Sequence, residues 1–464
     1  MRPPLRTRSL DLTSPQRRQI LKFAAATGLL AAVERNVAMA QAAPDYKALV
    51  CIFQQGGNDG ENTLIRQDTA GYQAYAAIRT PASQINIPQA QLLPIQPARS
   101  SPPYGFHPAC APLKTLFDQK KLAVIANVGI LAQPSTKPGL ETGGALRPAN
   151  LFSHPDQELA FQSAVHTGYD RTGWGGRIAD RLDAANPGTL FPPMVSVNGL
   201  RTFVTGRTSV PLTVPENPYF TLYSSGNNQG QFDALRDAAL REMLAQSRTN
   251  IYDVVAQLYA EEGLAASSVV FPILQNTQSV VAPFFANLDT SIARQLKTVA
   301  QLIEGRAQTK MKRQVFYVHH WGYDTHGSQA GLHQTLLGDF SKAVKAFQDA
   351  MTALAITDSV TAFTLSEMGR TFKPASNAGT DHGWGNYAFA FGGAVKGGDF
   401  YGTVPTQVLN GPDDLGKDGR WIPTTSIEQY GATLARWFGI AEGDLPYVFP
   451  NIGSFANTNL GFMA

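Results

Sequence analysis

Residues 315–365 read VFYVHHWGYDTHGSQAGLHQTLLGDFSKAVKAFQDAMTALAITDSVTAFTL. The runs from Val315 to Val318 and from Val360 to Leu365 are short and continuously apolar, the pattern of strands buried on both faces. Between them Leu332, Leu336, Phe340, Val344, Phe347, Met351 and Leu354 recur at helical spacing. Strand, amphipathic helix and strand in that order predict a right-handed βαβ unit, and with it an α/β fold on a parallel sheet.

Two more runs of the same kind lie upstream, Ala48 to Phe53 (ALVCIF) and Leu122 to Val128 (LAVIANV). Residues 81–106 are rich in Pro, Gln and Ser and read as a surface loop. Helical patterns follow over 109–119, 156–165 and 177–184. Residues 186–310 read as an insertion or cap. It is Pro- and Gly-punctuated at first and then carries two long helical stripes. Phe232, Leu235, Ala239, Met243, Ile251, Val254 and Leu258 mark the first, and Phe285, Leu288, Ile292, Leu296 and Val299 the second. Both stripes are expected to pack into a core. A last helix begins at Ser426, with Gln429 three residues on as in a capping box. Ile427, Tyr430, Leu434, Trp437 and Phe438 form its buried face.

The chain has 464 residues, 38 basic and 35 acidic, but the charge is uneven. Residues 1–40 hold 7 of the basic and 2 of the acidic residues, leaving 31 against 33 in the body, a net of −2. That balance excludes an electrostatic nucleic-acid binder. The N-terminus pairs Arg17 with Arg18, continues into the apolar run Phe23 to Val33, and reaches Ala38-Met39-Ala40, a small-x-small cleavage pattern. This resembles a twin-arginine export signal. It predicts the export machinery as a partner and a periplasmic or secreted destination. Exported proteins of this kind often load a metal or cofactor before crossing. The apolar run is too short to span a bilayer, so no transmembrane helix is expected. Cys51 and Cys110 could pair in an oxidising compartment, or stay as free buried thiols.

Three strands end in the same kind of chemistry. The first is followed by Asp59 and Asn62, the VFYV strand by Asp324 and His326, and the VTAFTL strand by Glu367 and Arg370, with Asp381 and His382 beyond. In an open parallel sheet these loops share one edge and form the binding crevice, so residues more than 300 positions apart should meet. Carboxylates and imidazoles brought together can hold a divalent cation. Mixed ligation suits zinc, manganese or iron, whereas magnesium or calcium prefers oxygen. They can equally do metal-free acid–base work, with His382 or Glu367 as base. Arg370 suits a bidentate grip on a phosphate, sulfate or carboxylate. Asp59 reads equally as a turn residue, and Glu367 with Arg370 as a structural ion pair. His107 and His154 each precede a helical pattern and are either helix-start features or site residues. His319 is expected to face the core, and His166 and His333 to serve surface or packing roles.

The segments Gly56-Gly57-x-Asp59-Gly60-x-Asn62-Thr63, His107-Pro108, Ser153-His154, Thr172-Gly173-Trp174, Gly322-x-Asp324-Thr325-His326, Ser366-Glu367-x-Gly369-Arg370-Thr371 and Gly379-Thr380-Asp381-His382-Gly383 occur in this order. Together they resemble a family of exported bacterial proteins of unknown function, sulfatase-like and related to the alkaline phosphatase superfamily. The resemblance implies a doubly wound α/β sandwich with a mostly parallel sheet flanked by helices. It also implies a metal-dependent hydrolase of phosphate or sulfate esters, acting on a small or polymeric anionic substrate. Asp59, Asp324, His326, Asp381 and His382 are then metal ligands, and Glu367, Arg370, Asn62 and Thr63 catalytic candidates, Thr63 as the hydroxyl. Two departures stand out. The middle Asp and His are two residues apart rather than four, and Cys110-Ala111-Pro112-Leu113-Lys114 lacks the arginine of a sulfatase nucleophile motif. A non-catalytic envelope binding or scaffold protein on the same fold is the alternative.

Overall fold

The computed structural model describes residues 46–99, 102–167, 170–186, 191–216, 230–246 and 250–464. The twin-arginine segment lies outside them. A nine-stranded sheet is built from β1 (Lys47–Gln55), β2 (Leu122–Gly129), β3 (Met194–Ser196), β4 (Leu212–Thr213), β5 (Arg313–Trp321), β6 (Val360–Leu365), β7 (Asn386–Phe391), β8 (Asp399–Tyr401) and β9 (Thr425–Ser426). Its order is β8-β2-β7-β6-β1-β5-β3-β4, with β9 also paired to β2. All pairings are parallel except those of β7, which runs antiparallel to both β2 and β6. The sheet is therefore mixed and mostly parallel.

Side chains alternate across each strand, so a strand buried on both faces divides its residues between two cores. Along β1, Ala48, Val50 and Ile52 enter one core and Leu49, Cys51 and Phe53 the other. The first core is closed by α1 (Ala111–Asp118), α6 (Ser291–Glu304) and α7 (Gln329–Ala353) through Leu116, Leu296, Phe340 and Phe347. The second is closed by α2 (His154–Ser163), α3 (Trp174–Leu182) and α8 (Ile427–Phe438) through Phe161, Ile178, Tyr430 and Leu434. Helices thus cover both faces. Cys51 and Cys110 belong to opposite cores and are both free thiols.

Several local expectations change. Residues 81–106 carry two short strands, Leu93–Ile95 and Tyr104–Phe106, and the second pairs with both the first and Leu64–Arg66 in a small antiparallel sheet. Both ends of the 186–310 stretch enter the main body, as β3, β4 and α6. Between them lie α4 (Gly230–Ala245) and α5 (Ile251–Leu274). The stripe expected to pack is exposed there, at Leu235, Met243, Ile251 and Leu258. Only the far end of α5, from Ala266 to Leu274, reaches the core. Helical spacing creates an apolar face without determining whether anything packs on it. In α8 the capping box is complete: Gln429 N–H donates to Ser426 Oγ and Ser426 N–H to Gln429 Oε1. Among the described residues no helix is long and apolar enough to cross a membrane.

Candidate metal centre

β1, β5 and β6 are neighbours, and their carboxyl ends open at one edge of the sheet. β1 runs out into Gly56, β5 into Gly322 and β6 into Ser366. Because β7 is antiparallel, it starts at the edge where β6 stops. Residues 366–385 therefore leave and return without crossing the sheet, which brings Asp381 and His382 back beside Glu367. The returning segment lies against the outgoing one: Arg370 and His382 form an antiparallel bridge, and Gly383 N–H donates to Gly369 O (2.8 Å). Two glycines permit the loops to converge. Gly56 has φ +113, and a Cβ there would meet Asp324 N at 2.2 Å. A Cβ on Gly379 would lie 2.2 Å from the His326 carbonyl carbon.

At this edge His154, Asp324, His326 and His382 turn one ligand atom each toward a common point, all within 4.8 Å of one another. His382 Nε2 is 3.0 Å from His154 Nε2 and 2.8 Å from His326 Nε2. Asp324 Oδ1 is 3.3, 3.0 and 3.5 Å from the Nε2 atoms of His154, His326 and His382. A tetrahedral ion with bonds of about 2.0–2.1 Å sets its ligands roughly 3.3 Å apart, so these spacings fit one ion.

The outer nitrogens decide which form the rings take. His382 Nδ1 lies 2.7 Å from the Phe152 carbonyl, which can only accept, so Nδ1 carries the proton. His154 Nδ1–H donates to Glu367 Oε1 (2.9 Å). In the neutral rings both inward Nε2 atoms therefore present bare lone pairs, 3.0 Å apart. Two lone pairs at that distance repel unless a cation lies between them. His326 Nδ1 faces the Asp381 carboxylate at 3.8 Å, beyond hydrogen-bond distance. Outer hydrogen bonds like those of His382 and His154 fix tautomer and orientation in metal sites. Phe152 is itself held at φ +76, an uncommon backbone for a bulky residue, to aim that carbonyl.

Arg370 is buried, with four hydrogen bonds from its five N–H groups. It donates to Asp324 Oδ1 (2.8 Å), to Gly56 O, and to Thr380 Oγ1 and O. It positions the Asp324 carboxylate and has no fork left for a substrate anion. Burial alone would raise the Asp324 carboxyl, but Arg370, with His154 and His326, holds it below the usual carboxylate range. The hydrogen bond to Glu367 lifts the His154 imidazole above its ordinary value, and burial pushes His382 down.

The other expected site residues fall outside the cluster. Asp59 is fully buried, gripped by Arg79 at 2.7 and 3.0 Å, and caps the one-turn helix Gly60–Thr63 through the N–H groups of Glu61 and Asn62. Gln329 donates to it as well. Its oxygens are taken, and the fourth member of the cluster is instead His154, which the sequence left open. Asn62 bonds Ile85 O and Tyr75 Oη, and Thr63 donates to Asp59 O, so both brace the loop. Asp381 sits half-exposed at the rim, paired with Arg420. Glu367 is fully buried and also accepts from Gly56 N–H (2.7 Å), which ties the ends of β1 and β6 together behind His154. The signal for His154 was the Ser153-His154 motif, while neither Arg79 nor the Phe152 carbonyl has any signature in sequence.

A family model described as "Protein of unknown function (DUF1501)" matches residues 46–415. The chain belongs to the DUF1501 family. The matched span of this DUF1501 member contains all four cluster residues and both histidine supports, Glu367 and Phe152. No curated protein matches it. Among solved structures it is similar to the PsFucS1 sulfatase from Pseudoalteromonas sp. (TM-score 0.34, 8% identity, covering 93% of this chain and 73% of that one). It is also similar to the lipoteichoic acid synthase LtaP from Listeria monocytogenes (0.33, 8%, 86% and 73%). A third is the TAB5 alkaline phosphatase in a mutant form with Mg bound (0.30, 9%, 88% and 99%).

Proposed function

We propose that this protein is an exported, metal-dependent hydrolase of phosphate or sulfate esters. One divalent ion would be held by His154, Asp324, His326 and His382. The observation that carries the reading is the pair of inward imidazole Nε2 atoms 3.0 Å apart, each ring fixed by an outer hydrogen bond. Three imidazoles with one carboxylate favour zinc, iron or manganese over magnesium or calcium. When bound, such an ion polarises an ester oxygen and makes water a nucleophile near neutral pH.

The chain's own residues prepare that chemistry. Glu367 and Phe152 hold the rings, and Arg370 holds Asp324. The side chains of Asp324 and His326 are 46% and 44% exposed, which leaves the open side to water and ester. Thr63 and Cys110 are fully buried, so the nucleophile of this reading is water rather than a side chain. The same burial favours the second reading, a metal-stabilised binding protein without turnover. Metal analysis of the full-length protein purified from its export route separates these from no site at all. About one equivalent is expected in wild type and little in His154→Ala or Asp324→Ala. Chelator-sensitive release of 4-nitrophenol from its phosphate or sulfate ester is expected for the hydrolase. Metal without turnover supports the binding protein, and protein that takes up no zinc, manganese or iron removes both.

A further inference from the structure

We propose that Trp321 is the stacking platform of a sugar subsite beside the metal cluster, so that the ester acted on is carried by a glycan; this rests on the hydrolase reading above. Of the five tryptophans, Trp174, Trp384, Trp421 and Trp437 are at most 8% exposed, whereas Trp321 is 65% exposed. It is the last residue of β5, three positions before Asp324. Strand alternation puts it on the face of Tyr317, the face that α2 covers.

Its neighbour across the parallel pairing is Gln55, whose amide donates to Glu158 Oε2 (2.9 Å). Glu158 stands one turn of α2, about 6 Å, beyond His154. Arg201 reaches Glu158 at 3.8 Å from the other side. An exposed indole thus ends the strand next to Gln55, and from Gln55 an amide, a carboxylate and a guanidinium lead to within a turn of helix of His154. These groups are polar and planar, suited to the hydroxyls around a sugar whose C–H face lies on the ring. The surface is also open. The side chains of Asp324 and His326 are about half exposed, and Trp321 is more so. An open platform admits a polymer chain.

The test compares full-length wild type, Trp321→Ala and Trp321→Phe with two probes, a heparin hexasaccharide and cellohexaose, by calorimetry and tryptophan emission. Wild type should bind at least one probe, with its emission moving to shorter wavelength as the indole is covered. Trp321→Ala should lose that shift and bind roughly tenfold more weakly, with Trp321→Phe in between. Equal binding by wild type and Trp321→Ala overturns the subsite, and so does a wild type that binds neither probe. Metal content is measured in parallel and should be the same in all three. Because binding is read without turnover, protein that binds through Trp321 yet takes up no zinc, manganese or iron would overturn the hydrolase reading alone.

Discussion

Asp59 and His154 exchange the roles that residue type suggests. A carboxylate after the first strand is a natural ligand, but here its two oxygens face Arg79 with both groups fully buried. Removing one partner of such a pair leaves the other charge stranded and costs about 3–5 kcal/mol. Asp59→Ala should therefore lower the unfolding free energy by that amount in urea titrations, while the fraction that stays folded keeps its metal. Glu367→Gln should do the converse. The Oε1 partner of His154 is weakened, and metal affinity should fall roughly 10–100-fold in competition with a chromophoric chelator. If Asp59→Ala emptied the centre as His154→Ala does, the buried ion pair would be the wrong account of Asp59. None of this separation was legible from the chain. Arg79 lies 20 residues from Asp59, just past the helix Thr69–Ile78, and a guanidinium carries no pattern that names its partner.

The elements themselves were largely legible, because β1, β2, β5 and β6 are buried on both faces and show as unbroken apolar runs. The convergence of Asp324, His326 and Glu367 followed from strand ends sharing an edge. An apolar run has no direction, however. That β7 is antiparallel could not be read, and it is what turns the long stretch between Glu367 and Asp381 into a returning loop. The exposed stripes of α4 and α5 were misread for a related reason, since spacing defines a face and not its cover. The return also depends on close approach between loops. A Cβ at Gly379 would meet the His326 backbone at 2.2 Å, so Gly379→Ala must push one loop away. Apart from Tyr323, neither loop belongs to the two cores. The variant should melt within a few degrees of wild type when metal-free and bind zinc at least tenfold more weakly. A Gly379→Ala protein with undiminished zinc affinity would show that the loops tolerate displacement and that the cluster does not need this contact.

The whole molecule keeps several imidazoles neutral by burial, and this gives it a pH signature apart from the metal. Burial holds His107 and His319 at about 4 and His320 and His333 at about 3, against an ordinary 6.5. In the unfolded chain these rings take up protons as the pH falls through about 6.5; in the folded chain they resist until about 4 or 3. The unfolded state then binds more protons throughout that window, so stability is full above about pH 6.5 and is lost toward pH 4. Each ring contributes a loss of about 2 kcal/mol at pH 5. Metal-stripped protein should therefore show a steep fall in its urea midpoint between pH 7 and pH 5. His319 isolates one share of that slope. It stacks on Phe53 and Tyr317, and among the described residues nothing bonds its Nε2. His319→Phe keeps the ring, removes the titration, and should recover about 2 kcal/mol relative to wild type at pH 5. A variant that falls as steeply as wild type would mean that His319 is protonated in the folded protein, and that the acid sensitivity originates in the remaining histidines and the carboxylates.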